Sequence, residues 1–337
     1  MLCSTKIRRS LNKKSLEPIK GGCPVETGKQ RTLLFIKGMA MGAADVVPGV
    51  SGGTIAFITN IYEQLIDSIH SIGPKTLVIL KNEGLAKAWS SFNGTFLLTL
   101  FLGIATSVFT LAKVITHLLE TQPIMVWSFF FGLIVVSAIY IGRQIKDWDI
   151  AKVVTVCVGA FIAWQISGMT PTEVEATPLI IFFSGALAIC AMILPGISGS
   201  FILLMLGMYG HILGAIKGFD VVIMGIFGGG CVVGLLAFSR VLDWLLKHYH
   251  ELTMALLTGF MIGSLNKVWP WKQTISFRTN SHGEQVPLVQ VNVSPAEYSE
   301  LMGVDSQLVA GVIFMVAAVL LVVALEVIAA KGKSRAD

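Results

Sequence analysis

The chain has 337 residues, of which 54% are hydrophobic and 13% are charged, and its formal net charge is +5. Its mean hydropathy is +0.76. A soluble protein of this size needs more charged residues on its surface. The composition therefore excludes a soluble globular protein and indicates an integral membrane protein. The five cysteines are scattered without metal-ligand or disulfide spacing, so we expect no metal and no cofactor.

The N-terminal segment, residues 1–31, is polar and rich in lysine and arginine. It has no apolar core followed by a small-residue cleavage site, as a signal peptide would have. We therefore expect a basic cytosolic tail.

The next segment, residues 33–70, is apolar but too long for one simple helix, and a Pro-Gly-Val-Ser-Gly phrase at 48–52 interrupts it. Proline ends a helix, and serine and glycine then begin the next one. Backbone freed in this way within lipid must be buried or must line a cavity. The pattern predicts a re-entrant helical hairpin, and Pro-Gly-Ile-Ser-Gly at 195–199 predicts a second one over 179–216.

The rest of the chain predicts about six spanning helices and one long loop. The apolar stretches are 95–119, 124–142, 150–168, 221–246, 250–267 and 306–330. Residues 268–305 alternate polar and apolar side chains around a His-Gly pair, which predicts a small extracytoplasmic β-hairpin. The predicted fold class is an all-α polytopic membrane protein with two re-entrant hairpins.

The chain also contains an internal duplication. An offset of 147 matches Gly38 with Gly185 and Tyr62 with Tyr209, and an offset of 127 matches Gly103 with Gly230. Such internal symmetry must be recognised before the fold is assigned, and it is typical of transporters. The predicted divisions are a tail 1–31, repeat 1 over 32–149, a linking span and outer loop 150–178, repeat 2 over 179–267, the extracytoplasmic loop 268–305, and the last span with a tail, 306–337.

The placement of lysine and arginine predicts the orientation of the repeats. If each hairpin returns to the side from which it entered, most of the basic residues fall on one side of the membrane. The positive-inside rule assigns that side to the cytoplasm. It therefore predicts inverted repeats with both termini in the cytoplasm.

The two hairpin tips form the predicted anion site. A helix N-terminus offers free N–H groups and a positive dipole end, which attract anions and phosphate in particular. Glycine lets a ligand approach the backbone, and hydroxyl groups donate hydrogen bonds. The candidate phosphate-binding residues here are Gly49, Ser51, Gly52, Gly53, Thr54, Gly196, Ser198, Gly199 and Ser200. The alternative is a pair of kinks with serine caps, but two copies at matched positions favour a site.

Two cations, Lys113 and Arg240, lie at equivalent positions within predicted spans. A cation within a membrane segment costs about 2.5–3.5 kcal/mol on insertion scales and is a functional-site candidate by default. We predict that both bind the same phosphate as the tips. The alternative is that each side chain snorkels to the membrane surface.

Three titratable residues are candidates for coupling to H⁺ or Na⁺. Asp45 lies just before the first break, where the second repeat has Met192. A buried carboxylate there can bind and release a proton during a transport cycle. Glu63 and His211 lie in the return half of each hairpin and are weaker candidates.

The paired motif resembles that of a known bacterial family. Ala-Ala-Asp-Val-Val-Pro-Gly-Val-Ser-Gly-Gly-Thr at 43–54, Leu-Pro-Gly-Ile-Ser-Gly-Ser at 194–200 and Gly-Met-Tyr at 207–209 resemble the polyprenyl-phosphate transporters of the PopT type, once a domain family of unknown function. The resemblance covers about residues 32–330. It implies a flippase, not an enzyme, that recycles undecaprenyl phosphate from the outer to the inner leaflet of the cytoplasmic membrane for cell-envelope synthesis. The implied partners are the lipid and the membrane, with no nucleic acid, and a homodimer is one open oligomeric state.

Two alternatives stay open at this stage. Half-helix dipoles do not distinguish a lipid head group from a free anion, so a small-anion carrier or channel fits the same tips. The motif also resembles the Pro-Gly-x-Ser-Arg-Ser element of membrane undecaprenyl pyrophosphate phosphatases. Gly52 or Gly199 replaces its arginine, and the first hairpin has no Glu-x-x-x-Glu pair. Nucleophile activation and charge neutralisation are then hard to supply, so hydrolysis is the weaker alternative.

Overall fold

The computed structural model describes residues 28–47, 49–169, 174–279 and 285–334. Most of the basic leader, Pro48 and the predicted His-Gly turn lie outside these residues. The helices are α1 Gly28–Val46, α2 Gly52–Ile58, α3 Tyr62–His70, α4 Pro74–Glu83, α5 Leu85–Ser91, α6 Gly94–Thr121, α7 Pro123–Gly142, α8 Ile150–Gly168, α9 Pro178–Ile193, α10 Gly199–Met205, α11 Tyr209–Lys217, α12 Val221–His248, α13 His250–Ser264, α14 Pro295–Met302 and α15 Leu308–Ser334. The strands are β1 Lys272–Thr279 and β2 Gln285–Asn292.

Both interrupted segments are built in the same way, as one long helix, a turn and two short helices. The first comprises α1, α2 and α3, and the second comprises α9, α10 and α11. Their boundaries recur at the offset of 147: α2 begins at Gly52 and α10 at Gly199, while α3 ends at His70 and α11 at Lys217. The α10 and α11 axes meet at 108°. The breaks expected from the motif are therefore present in both segments.

Each of the six predicted spans corresponds to a helix, but the helices differ in length. In the described residues α6, α7, α8 and α12 are long and apolar enough to cross a membrane, and the bent pair α10 and α11 could act as a fifth span. Helix α13 is shorter, with 15 residues, whereas α15 has 27 residues, beginning with the apolar stretch Leu308–Ala324. The count of four or five is thus lower than the six expected from hydropathy.

Glycine contacts hold the long helix of each hairpin against the span that follows it. Helix α1 packs along α6, and α9 packs along α12. A side chain at Gly103 would collide with the carbonyl of Phe35, and one at Gly230 would collide with the equivalent carbonyl of Phe182. Small residues let two helix backbones approach closely, which is a common basis of helix association in membranes.

Two further helix pairs each join one helix from the first half of the sequence with one from the second half. Helix α8, at the end of the first half, packs along α13 of the second. Helix α15, at the end of the second half, packs along α7 of the first. Glycines again lie at the contacts, Gly159 with Gly259 in one pair and Gly132 against Met315 in the other. Each half is thus completed by a helix from the other half.

A Gly230→Val substitution should prevent this packing. The added side chain meets the backbone of Phe182, which cannot move without displacing α9. We expect a loss of about 3 kcal/mol of stability, at the upper end of overpacking effects, measured as thermal unfolding in detergent. Gly228→Val is the matched control, because no atom lies within 4 Å of a Cβ there. Equal losses in the two variants would show that close approach at Gly230 is not required.

The predicted β-hairpin is present. Strand β1 pairs antiparallel with β2, with an irregular register around Ser276. Two tryptophans anchor the connection between α13 and β1: Trp269 Nε1 donates to the carbonyl of Val293 (2.9 Å), and Trp271 Nε1 donates to the carbonyl of Ser306 (2.8 Å). The segment between Ser264 and Lys272 is therefore held in place by hydrogen bonds to the residues just after β2 and just before α15.

Candidate functional site

The tips of the two hairpins contact each other directly. Ser51 Oγ donates to the carbonyl oxygens of Met192 (3.0 Å) and Leu194 (3.2 Å). In return, the Gly196 amide donates to Thr54 Oγ1 (3.0 Å). Ser51 and Thr54 are 1% and 0% exposed. Two hydroxyl side chains of the first tip thus bind the backbone of the second hairpin, 141 to 143 residues away in sequence.

Two glycines give both tips the same backbone shape. Gly49 has a φ of +89° and Gly196 has a φ of +86°. Residues with a Cβ rarely adopt this region, whereas glycine enters it without cost. A Cβ at Gly49 would lie 2.6 Å from Lys267 Cγ, and one at Gly196 would lie 2.9 Å from the carbonyl oxygen of Phe260. Both turns are therefore pressed against α13 or the segment that follows it.

Internal groups already occupy the N-terminus of α2. Ser51 is its N-cap and accepts a hydrogen bond from the Gly53 amide (3.1 Å). The Gly52 amide donates to Asp45 Oδ1 (2.6 Å). A helix N-terminus stabilises negative charge, and in this conformation that charge comes from the protein's own carboxylate.

The second tip differs at the equivalent positions. Ser198 makes no side-chain cap of α10, and its hydroxyl lies 3.0 Å from that of Ser200. A Cβ at Gly199 would lie 2.5 Å from Met192 Cγ. An apolar side chain thus covers α10 where Asp45 covers α2, so the duplicated tips are not chemically equal.

A small cavity of about 10 Å³ lies beside the two tips. Its lining residues are Gly49, Ala163, Ile166, Ser167, Gly196, Ile197, Ser198, Phe201 and Lys267. Lys267 Nζ lies 4.3 Å from the centre of the Phe201 ring. Such a volume holds about one water molecule, so this conformation leaves no room for a phosphate group in the cavity.

Lys113 and Arg240 lie away from the tips. Lys113 is exposed on α6. Arg240 donates to the carbonyl of Leu236 (2.8 Å) on its own helix and to that of Ile72 (3.2 Å) just beyond α3. The predicted cluster of both cations with the tips is therefore not formed in this conformation, because packing turns their helix faces elsewhere. Within the described part of the chain, the cation that lies against a tip is Lys267.

The three ion-coupling candidates are also separate from one another. Asp45 lies at the first tip, bound to the Gly52 amide. Glu63 Oε1 lies 2.9 Å from His250 Nε2, and both side chains are exposed. The hydrogen bond from His250 lowers the pKa of Glu63. His211 is exposed on α11. Only Asp45 is placed where a bound proton could affect the tips.

The fold is that of a polytopic membrane protein with two broken helices whose tips meet. Transporters commonly build their binding sites from broken helices of this kind. The chain belongs to a family described as "VCA0040-like: Undecaprenyl phosphate translocase-like", whose model matches residues 41–286. It is 54% identical to a polyprenyl-phosphate transporter of Vibrio cholerae over 297 residues, which cover 88% of this chain and 96% of the relative. It is 35% identical to a polyprenyl-phosphate transporter of Staphylococcus aureus over 256 residues, 70% and 85% of the two chains. No solved structure matches.

Proposed function

We propose that this protein moves a polyprenyl phosphate from the outer to the inner leaflet of the cytoplasmic membrane. The observation that carries the proposal is the direct contact of two buried, serine-bearing tips in a chain whose relatives are named polyprenyl-phosphate transporters. The head group passes where the tips meet, and the prenyl tail stays in lipid. The repeats are inverted, and both termini lie in the cytoplasm.

The small cavity and the occupied α2 N-terminus support an exchange mechanism. The tips separate, the phosphate reaches the Gly52 amide, and the Asp45 carboxylate leaves it. Two negative groups cannot share one helix end cheaply, so Asp45 takes up a proton or a cation as the phosphate arrives. Inward movement of an anion works against the membrane potential by about 2.3 kcal/mol per charge per 100 mV. A bound ion reduces that cost, which favours coupled transport.

Transport can be measured in proteoliposomes that carry a fluorescent polyprenyl phosphate whose outer-leaflet fraction is chemically quenched. A Ser51→Ala/Thr54→Val variant removes the three hydrogen bonds that these two side chains make to the second hairpin, at a cost of about 1 kcal/mol for each bond. We expect its rate of leaflet exchange to fall at least tenfold.

The matched control is Thr106→Val, which removes an exposed hydroxyl bonded only within α6. It should transport at the wild-type rate. An unaltered rate in the tip variant would contradict the proposed path, and release of inorganic phosphate from a polyprenyl pyrophosphate would instead indicate hydrolysis.

A further inference from the structure

Two buried lysines follow α13 and lie close to each other. Lys272 is 9% exposed and Lys267 is partly buried. Lys272 Nζ donates to the carbonyl of Lys267 (2.6 Å). Burial and the nearby Lys267 charge hold the pKa of Lys272 well below its usual range. Burial and the neighbouring charge thus favour the uncharged form of Lys272, so its charged form needs stabilisation from a nearby group.

Acidic partners do not supply that stabilisation. Among the described residues, none of the ion pairs includes Lys267 or Lys272. By contrast, the buried Lys152 pairs with Asp149 (3.7 Å). The two lysines lie over aromatic rings, Lys267 over Phe201 and Lys272 over Trp127 at 3.7 Å. A cation–π contact contributes about 0.5–2 kcal/mol, less than the several kcal/mol that burying an ion costs.

The cavity beside the tips offers further groups that suit an anion. Lys267 lines it together with Ser198 and the two positive-φ glycines, Gly49 and Gly196. The hydroxyls of Ser198 and Ser200 share one hydrogen bond, so one of their two protons is left to donate elsewhere. The Gly49 turn also rests on the Lys267 stem. Movement of the first tip and movement of this cation are therefore linked.

We infer that Lys267 binds the phosphoryl group of the transported lipid, with Lys272 as a positioning residue that holds the Lys267 backbone and, once the anion is bound, adds a second positive charge. The inference rests on the proposed function for the identity of the lipid. A phosphate monoester carries about −1.5 to −2 charges at neutral pH, which matches two lysines better than a carboxylate does. The site lies just after the C-terminal end of α13 and beside Trp269 and Trp271. Tryptophan and lysine are common at membrane surfaces. In the predicted orientation this end of α13 faces the extracytoplasmic side, and the site then receives the head group from that side.

The test is binding to full-length protein in nanodiscs, with farnesyl phosphate, farnesol and inorganic phosphate as separate probes. Farnesyl phosphate should bind, and Lys267→Gln should weaken its binding at least tenfold. Lys267→Arg should keep most of the affinity, and both variants should stay monodisperse. Lys272→Gln should weaken binding several-fold, whereas Lys272→Arg should bind nearly as well as wild type. If the Lys272 side chain served only for packing, binding would not depend on its charge in this way. The surface variant Lys81→Gln, which removes the same charge, should bind as wild type does.

Inorganic phosphate distinguishes the two sources of the phosphoryl group. Weak binding of the free anion assigns the site to the lipid head group, and equal, Lys267-dependent binding assigns it to free phosphate as well. Equal binding of farnesol and farnesyl phosphate, or wild-type affinity in a folded Lys267→Gln variant, overturns the inference. Leaflet exchange by the wild-type protein tests the proposed function separately from the site. If wild type shows no exchange but binds farnesyl phosphate in a Lys267-dependent way, the proposed function is contradicted and the binding site is supported.

Discussion

An Asp45→Asn variant is expected to lose ion-driven transport while keeping its fold. Asparagine retains the Oδ1 acceptor, so the bond from the Gly52 amide at 2.6 Å can persist. The amide side chain cannot take up a proton and carries no charge for a cation. In proteoliposomes with an imposed proton or sodium gradient, we expect gradient-driven accumulation to fall at least tenfold. Exchange without a gradient should continue.

The control for Asp45 is Glu83→Gln, which removes an exposed carboxylate paired with Lys87 on the α4–α5 segment. It should respond to the gradient as wild type does. If Asp45→Asn follows the gradient equally well, the coupling ion binds elsewhere, and Asp45 serves only as a cap for α2.

A Gly196→Ala variant is expected to be nearly inactive. The left-handed backbone at φ +86° costs about 1–2 kcal/mol for a residue with a Cβ. The new methyl group would also lie 2.9 Å from both the Phe260 carbonyl oxygen and Ser264 Oγ. The second tip must therefore shift and lose its bond to Thr54. We expect a loss of stability of about 2 kcal/mol or more and at least a tenfold fall in leaflet exchange.

Gly214→Ala provides the comparison for Gly196, because it adds the same methyl group within α11 with no atom inside 4 Å. Alanine favours helix over glycine by about 1 kcal/mol, so this variant should be as stable as wild type or more so. Wild-type transport by Gly196→Ala would mean that the shape of the second tip does not matter.

The breaks and the β-hairpin could be predicted because both depend on local chemistry. Proline and glycine end helices wherever they occur in a long apolar segment, so the positions of α2 and α10 followed from 48–52 and 195–199. Alternation of polar and apolar residues indicated β1 and β2 in the same local way. Helix lengths were less accessible, since α13 ends at Ser264, three residues before the end of the predicted span 250–267.

The chemistry of the site depended on contacts between distant segments, which one sequence does not reveal. Hydropathy placed Lys113 and Arg240 in spans, but the direction in which each side chain points follows from helix packing. Lys267 is the last residue of a predicted span and resembles an ordinary interfacial lysine in sequence. Its role became visible only from the folded contact between Gly49 and its side-chain stem. The one available signal was the pair Lys267 and Lys272 in a segment without nearby acids. The filling of the α2 N-terminus by Asp45 required the folded turn as well.

The exchange of α8 and α15 determines which parts can move as rigid bodies. A motion that separates the tips cannot simply swing one sequence half against the other, because α8 is fixed to α13 and α15 to α7 through glycine contacts. The units that rock must each combine helices from both halves. The two halves of the sequence and the mechanical units of this protein are therefore different, and we expect hinges within the predicted repeats instead of at the loop that joins them.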